Sequence, residues 1–205
     1  MGGEVQAGSG GLAMPATGRI YRRQASGALL LYPHSSNTQM PTIITHAVVP
    51  IAMALALGKK RIEPRLLVLG VVASMLPDSD VLAFRLNIAY AHAFGHRGAS
   101  HSVFFAFLLG GLGAFLAPRL GLARIKAFTF ITLSAASHGL LDMLTNGGLG
   151  VALWWPWSNE RYFLPCPVIE ASPLSLRRVF GPAGLNVLRS ELIWVWLPAL
   201  GLAFT

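Results

Sequence analysis

The residues able to do chemistry in this chain are His46, Asp78, Asp80, His96, His101, His138 and Asp142, and all of them fall in or beside long apolar stretches. Acids and imidazoles in such places are costly unless they are paired, hydrated or bound to a metal. Imidazole nitrogens with carboxylate oxygens suit a divalent ion, zinc first. In His138-Gly139-Leu140-Leu141-Asp142 the spacing puts imidazole and carboxylate on one helix face. That pair either ligates a metal or forms a hydrogen bond that staples helices. In Pro77-Asp78-Ser79-Asp80 the proline breaks or kinks a helix, and two acids follow in an irregular turn. Their oxygens can bind metal or activate water, and the bland alternative is a solvated helix end. In the run His96-Arg97-Gly98-Ala99-Ser100-His101-Ser102, Gly98 permits a tight turn and Ser100 is a candidate N-cap for the next helix. Both imidazoles can then face one mouth. Arg97 is read as a partner for an anionic substrate group such as a phosphate, or equally as a contact for lipid headgroups. His46 follows Thr45 at the start of an apolar segment and becomes a ligand candidate only through its company. His92 reads as solvated, and His34 is set aside with the N-terminal region.

The elements that must position these groups are apolar helices. Long apolar segments cover about 43–58, 65–84, 101–117 and 125–145, with a shorter one at 191–204. A spanning helix needs about 20 residues. The second and fourth reach that length, the first and third reach it with their flanks, and the fifth is a span or a partly inserted end. The expected fold is all-α, an integral membrane bundle of four to five transmembrane helices over residues 40–205. Of the 205 residues 54% are hydrophobic and 12% charged, against roughly 25% charged in soluble domains. Residues 1–39 are Gly- and Ser-rich with an Arg19–Arg23 cluster and read as a disordered extension, with Met40 as a candidate true start. Gly110, Gly111 and Gly113 allow close helix contact in the third segment. The sole cysteine, Cys166, excludes a CxxC metal site.

The net charge of +8 suggests nucleic acid at first sight. Its Lys and Arg instead cluster in short connections, and no nucleic-acid motif is present. Lys59, Lys60, Arg61 and Arg65 form one cluster, and Arg119, Arg124 and Lys126 form the other. Both fall on the same side of an up-and-down bundle, which the positive-inside rule makes cytoplasmic. The candidate ligands then all lie at the opposite, non-cytoplasmic side of a multi-pass protein. Trp154, Trp155 and Trp157 fit an aromatic belt there. Glu160 and Arg161 either line the mouth or pair with each other.

The ordered set Thr45-His46, Pro77-Asp78-Ser79-Asp80, His96 through Ser102, and His138 through Asp142 resembles the YdjM-like family of membrane-bound metal-dependent hydrolases, over about residues 40–165. It is also distantly similar to zinc-dependent phospholipase C, whose members gather His and Asp ligands around zinc. The resemblance implies His138 and Asp142 as ligands, completed by His46, His96 and His101. It implies Asp78 or Asp80 as bridge or water-orienting base, and Arg97 on an anionic, lipid-linked or phosphoester substrate. Membrane lipids are the expected partners. The competing class is a metal-ion or proton-coupled transporter, and a haem protein is a third that leaves the aspartates unexplained.

Overall fold

The computed structural model describes residues 42–58, 60–173 and 181–204, together with the short strands Ile20–Arg23, Leu29–Tyr32 and Gln39–Met40. The chain divides into two units, Met1–Asn37 and Thr38–Thr205. In the first, β1 (Ile20–Arg23) pairs antiparallel with β2 (Leu29–Tyr32), with Ile20 opposite Tyr32. The rest of the segment expected to be disordered lies outside the described residues.

The second unit is helical, as expected. The short strands β3 (Gln39–Met40) and β4 (Ser172–Pro173) tie its start to the stretch before its C-terminal helix. The helices are α1 (Ile43–His46), α2 (Val48–Leu57), α3 (Pro64–Met75), α4 (Leu82–Arg85), α5 (Val103–Leu116) and α6 (Arg124–Met143). A final helical stretch runs Pro182–Glu191, continues through a π-helical turn at Leu192–Trp196, and ends as Leu197–Ala203. Pro64 opens α3 at a position where a missing N–H costs nothing.

Two helical stretches, Pro64–Arg85 and Val103–Leu120, are long and apolar enough to cross a membrane, and Ile43–Leu57 is apolar but shorter. The fourth sequence segment, expected to span outright, is not among them. Its helix α6 is long but carries Thr132, Ser134, His138 and Asp142, all buried. The reason is position: α6 is the central helix, with α5 packed along it on one side and α3 on the other. Small residues bring the backbones close. A Cβ on Gly110 would overlap the Thr132 hydroxyl of α6, and one on Gly113 would overlap the Ile131 side chain. Gly111 faces open space, so the expected small-residue contact uses only the first and last of the three glycines. The core these helices share is Leu66, Ala73, Ala106, Ala127, Phe130, Ile131 and Ala135.

Outward-facing residues are also apolar. Val68 is 60% exposed, Leu112 55%, Phe115 66% and Leu133 52%. A soluble protein rarely shows apolar surface on this scale, whereas acyl chains solvate it. The basic connections meet at one end. Lys126 Nζ donates to Glu63 Oε1 at 2.8 Å, and Arg65 Nη1 donates to the Leu120 carbonyl at 3.1 Å. The hydrogen bond from Lys126 lowers the Glu63 pKa below its ordinary value. From Lys126 to His138 along α6 the helix climbs about 18 Å at 1.5 Å per residue. The basic end and the His/Asp end are therefore opposite ends of the bundle.

Candidate metal centre

The site is assembled where α1, α3 and α6 meet the turn that precedes α5. Helix α3 stops at Met75, and Pro77 sits at the start of a 3-10 turn, Leu76–Val81. With about three residues per turn, side chains two apart diverge widely. Asp78 and Asp80 accordingly meet different partners. Asp78 faces His46 and His138, and Asp80 faces the 96–101 segment.

Asp78, His101, His138 and Asp142 each offer a ligand atom, and these atoms lie within 4.8 Å of one another. His101 Nε2 and His138 Nε2 are 2.9 Å apart. His101 Nε2 is 3.0 Å from Asp142 Oδ2, and His138 Nε2 is 3.5 Å from Asp78 Oδ1. His46 joins the set: its Nε2 lies 3.7 Å from Asp142 Oδ1 and 3.8 Å from Asp78 Oδ2. Its ring stacks on His138 with centroids 3.7 Å apart. All five residues are buried.

Their second contacts fix the tautomers. His138 Nδ1 donates to the Ser74 carbonyl at 2.7 Å, which turns the Nε2 lone pair inward. His101 Nδ1 lies 3.1 Å from Asp80 Oδ2 and 3.0 Å from Ser100 Oγ. Carbonyl and carboxylate partners of this kind orient metal-ligating imidazoles and raise their basicity. Conversely, both oxygens of Asp78, both of Asp142 and both nitrogens of His46 have no hydrogen-bond partner among the described residues. Native proteins seldom leave such groups buried and unpaired. A cation among them would satisfy the carboxylate oxygens and His46 Nε2 together, so the residues fit a metal ion.

The seven sequence candidates therefore separate. His46, Asp78, His101, His138 and Asp142 converge, and Asp80 and His96 stand outside that set. Asp80 was expected as a ligand, but both its oxygens are occupied. Oδ1 meets His96 Nδ1 at 2.5 Å, and Oδ2 accepts from Arg97 N at 3.0 Å and from Ser100 Oγ at 2.7 Å. In this structure Asp80 thus contacts His96, Arg97 N and Ser100, and meets the five converging residues through His101 Nδ1. His96, expected as a ligand, is held by Asp80, and its ring centroid lies 5.7 Å from that of His101. Asp80→Asn is expected to weaken metal binding about 10- to 100-fold without abolishing it. Chelator competition on detergent-purified protein measures this. Loss as complete as that of a direct ligand would contradict the orienting role.

Arg97 is fully buried and sits at φ 59, the left-handed region. Contact with lipid headgroups, one of its two expected roles, is incompatible with that burial. Its Nε is 3.1 Å from Asp142 Oδ2, and Nη1 donates to Thr145 Oγ1 at 2.9 Å and the Gly147 carbonyl at 3.0 Å. Only Nη2 has no partner among the described residues besides the weakly placed Nε. Two other expectations are corrected. Ser102, not Ser100, caps α5, accepting from Phe105 N at 3.0 Å. Arg161 does not pair with Glu160, which accepts from the Tyr162 hydroxyl. Arg161 donates to the carbonyls of Tyr90, His92, His96 and Gly150, clasping the loop that carries His96 and Arg97. Burial lowers its pKa and raises that of nearby Tyr90. His92 is exposed, as expected.

Gly139 explains how His101 reaches α6. A Cβ there would lie 2.6 Å from the His101 carbonyl oxygen. Gly139→Ala is expected to cost about 1–3 kcal/mol and to weaken metal binding by pushing His101 away. Thermal melts and metal competition check both, and an unperturbed affinity would contradict the close approach.

Residues 40–205 match the model of a family described as YdjM inner membrane protein. This chain belongs to the YdjM inner membrane protein family. A relative, the Inner membrane protein YbcI of Escherichia coli (strain K12), is 50% identical over 162 residues, which is 78% of this chain and 94% of that protein. No solved structure matches the chain. The YdjM-family match spans all the helices described above and every residue of the cluster, and the chain is a membrane protein on that ground.

Proposed function

We propose that this YdjM-family protein is a membrane-bound metal-dependent hydrolase acting on a phosphoester or lipid-linked substrate. The observation that carries the reading is the convergence of Asp78, Asp142 and His46, without hydrogen-bond partners of their own, on the inward-turned Nε2 atoms of His101 and His138. Bound there, one to three divalent ions, zinc first, supply Lewis acidity and lower the pKa of water towards about 7. His46, His101, His138, Asp78 and Asp142 hold the metal. Asp78 also serves as base, because Asp80 has no free oxygen. Arg97 holds Asp142 in place through Nε, and its Nη2, buried beside the cluster, meets an anionic group only of a substrate that enters the metal centre itself.

In this reading α1–α2, α3–α4, α5 and α6 cross the bilayer, and the C-terminal stretch is a fifth span. The basic end lies in the cytoplasm and the metal centre at the outer face. Trp154 and Trp157, half exposed or more, stand at headgroup depth beside it. The loop holding them is bonded to the site through Val103 N to Leu153 O and Ala152 N to Arg97 O. A transport path, the competing class, needs ionisable groups near the midplane. The buried polar residues lower on α6 are neutral Ser134 and Thr132, which favours a site at one face.

The test is hydrolysis by zinc-loaded, detergent-purified protein of chromogenic phosphomonoesters, phosphodiesters and short-chain phospholipids. Turnover is expected to vanish with chelator, return with added ion, and be absent from His138→Ala. A fully metal-loaded protein that cleaves none of these substrates would sink the reading.

A further inference from the structure

We infer that Glu191 is a positioning residue for the metal centre: its buried carboxylate fixes the backbone that carries His46, so the C-terminal helix completes the site. The inference rests on the reading of His46 as a ligand. Glu191 is 1% exposed at the end of the Pro182–Glu191 helix. Its Oε1 accepts from Thr42 N at 2.6 Å. Its Oε2 accepts from Thr42 Oγ1 at 2.6 Å and Thr45 Oγ1 at 2.8 Å. Trp196 Nε1, on the same C-terminal stretch, donates to Thr45 Oγ1 at 3.2 Å.

These bonds land on α1, which has only four residues and ends at His46. Helix α1 runs on into α2 through Ala47, so these bonds act on the first turn of that stretch, whose leading N–H groups have no partner within the helix. Thr42 precedes α1 and its own side chain makes no cap bond. Glu191 supplies the acceptor for one of the free N–H groups there, and its negative charge suits a helix start.

His46 needs such help more than the other imidazoles do. His101 and His138 are each oriented through their own Nδ1, whereas neither nitrogen of His46 has a hydrogen-bond partner among the described residues. Its ring is placed by stacking on His138 and by its backbone alone. An apolar side chain would pack the C-terminal helix against α1 at lower desolvation cost than a carboxylate. The carboxylate gives direction: three short bonds set the rotation of the turn, and with it the direction of the His46 side chain.

The experiment is a double-mutant cycle on the full-length chain in detergent, with Co2+ alone as the probe. Co2+ affinity comes from chelator competition, and the visible Co2+ absorption reports the ligand set. Glu191→Gln is expected to lower Co2+ affinity about tenfold. It should shift the absorption towards that of His46→Ala, yet leave affinity in the His46→Ala background unchanged. Thr45→Ser should behave as wild type and Thr45→Val as Glu191→Gln. If Glu191→Gln does not fold, Thr45→Val carries the same cycle. An equal loss in both backgrounds overturns the inference, since it marks a general loosening of the fold. No loss in either background overturns it as well. Wild-type protein that binds no Co2+ overturns the metal centre itself and this inference with it.

Discussion

His138→Ala should strip the bound metal from the detergent-purified protein and leave its helical circular dichroism intact. His138 contributes Nε2 to the cluster, and its Nδ1 contact is to a single carbonyl, that of Ser74. Its removal deletes a ligand and leaves the Arg97–Asp142 contact in place. Elemental mass spectrometry beside wild type reads the result. Full metal retention would dispose of the centre. Asp142→Ala, which looks equivalent on paper, should behave differently. Asp142 is also the carboxylate beside Arg97 Nε, and both residues are buried. Removing one partner of a buried pair costs about 3–5 kcal/mol because the other charge stays behind. The aspartate variant is therefore expected to lose both metal and fold, and the contrast between the two separates ligation from structure.

The convergence of His46, Asp78, His101, His138 and Asp142 was legible from the sequence because each stands at or near a helix end in an apolar chain. The i, i+4 pair on α6 and the proline before Asp78 fix local geometry by themselves. What the sequence did not separate was which of the acids and imidazoles converge. Asp78 and Asp80 are alike in type and two residues apart, and only the 3-10 turn sends them to different neighbours. His96 and His101 part for a similar reason: the turn before α5 hands His101 to α6 and leaves His96 to Asp80. Hydropathy alone undervalues a helix whose polarity serves the interior. Segment 125–145 has the length of a span, but its helix spends its hydropathy on the buried residues of the site. Glu191 was missed although it met the criterion used for the others, an acid at the head of an apolar segment. Its partners are hydroxyls nearly 150 positions away, as with Thr45 at a separation of 146, and no local pattern announces them. Arg161 was singled out, but not its partners, since its acceptors are backbone carbonyls, which carry no sequence identity.

Arg97→Ala is expected to be the most disruptive single change at the centre, and to act on the fold before it acts on metal. The guanidinium is fully buried beside Asp142 and bonded to Thr145 and Gly147, so it ties the loop before α5 to the end of α6. Truncation leaves the Asp142 carboxylate facing the cluster without its fixed cation and removes the bonds that hold the 145–147 turn. A cost of about 3–5 kcal/mol follows from the charge alone, a large share of a typical domain's stability. Arg97→Lys should rescue little, because an ammonium cannot span Nε and Nη1 contacts on opposite sides of a planar fork. Arg97→Ala is expected to melt well below wild type even with metal in excess. The double variant Arg97→Met, Asp142→Leu should recover much of the melting temperature while binding no metal, because it removes both buried charges together. Differential scanning fluorimetry with and without Zn2+ distinguishes these cases. A stable Arg97→Ala that still takes up metal would mean that Asp142 is held by the cation alone, and that Arg97 is free to serve an incoming anionic group.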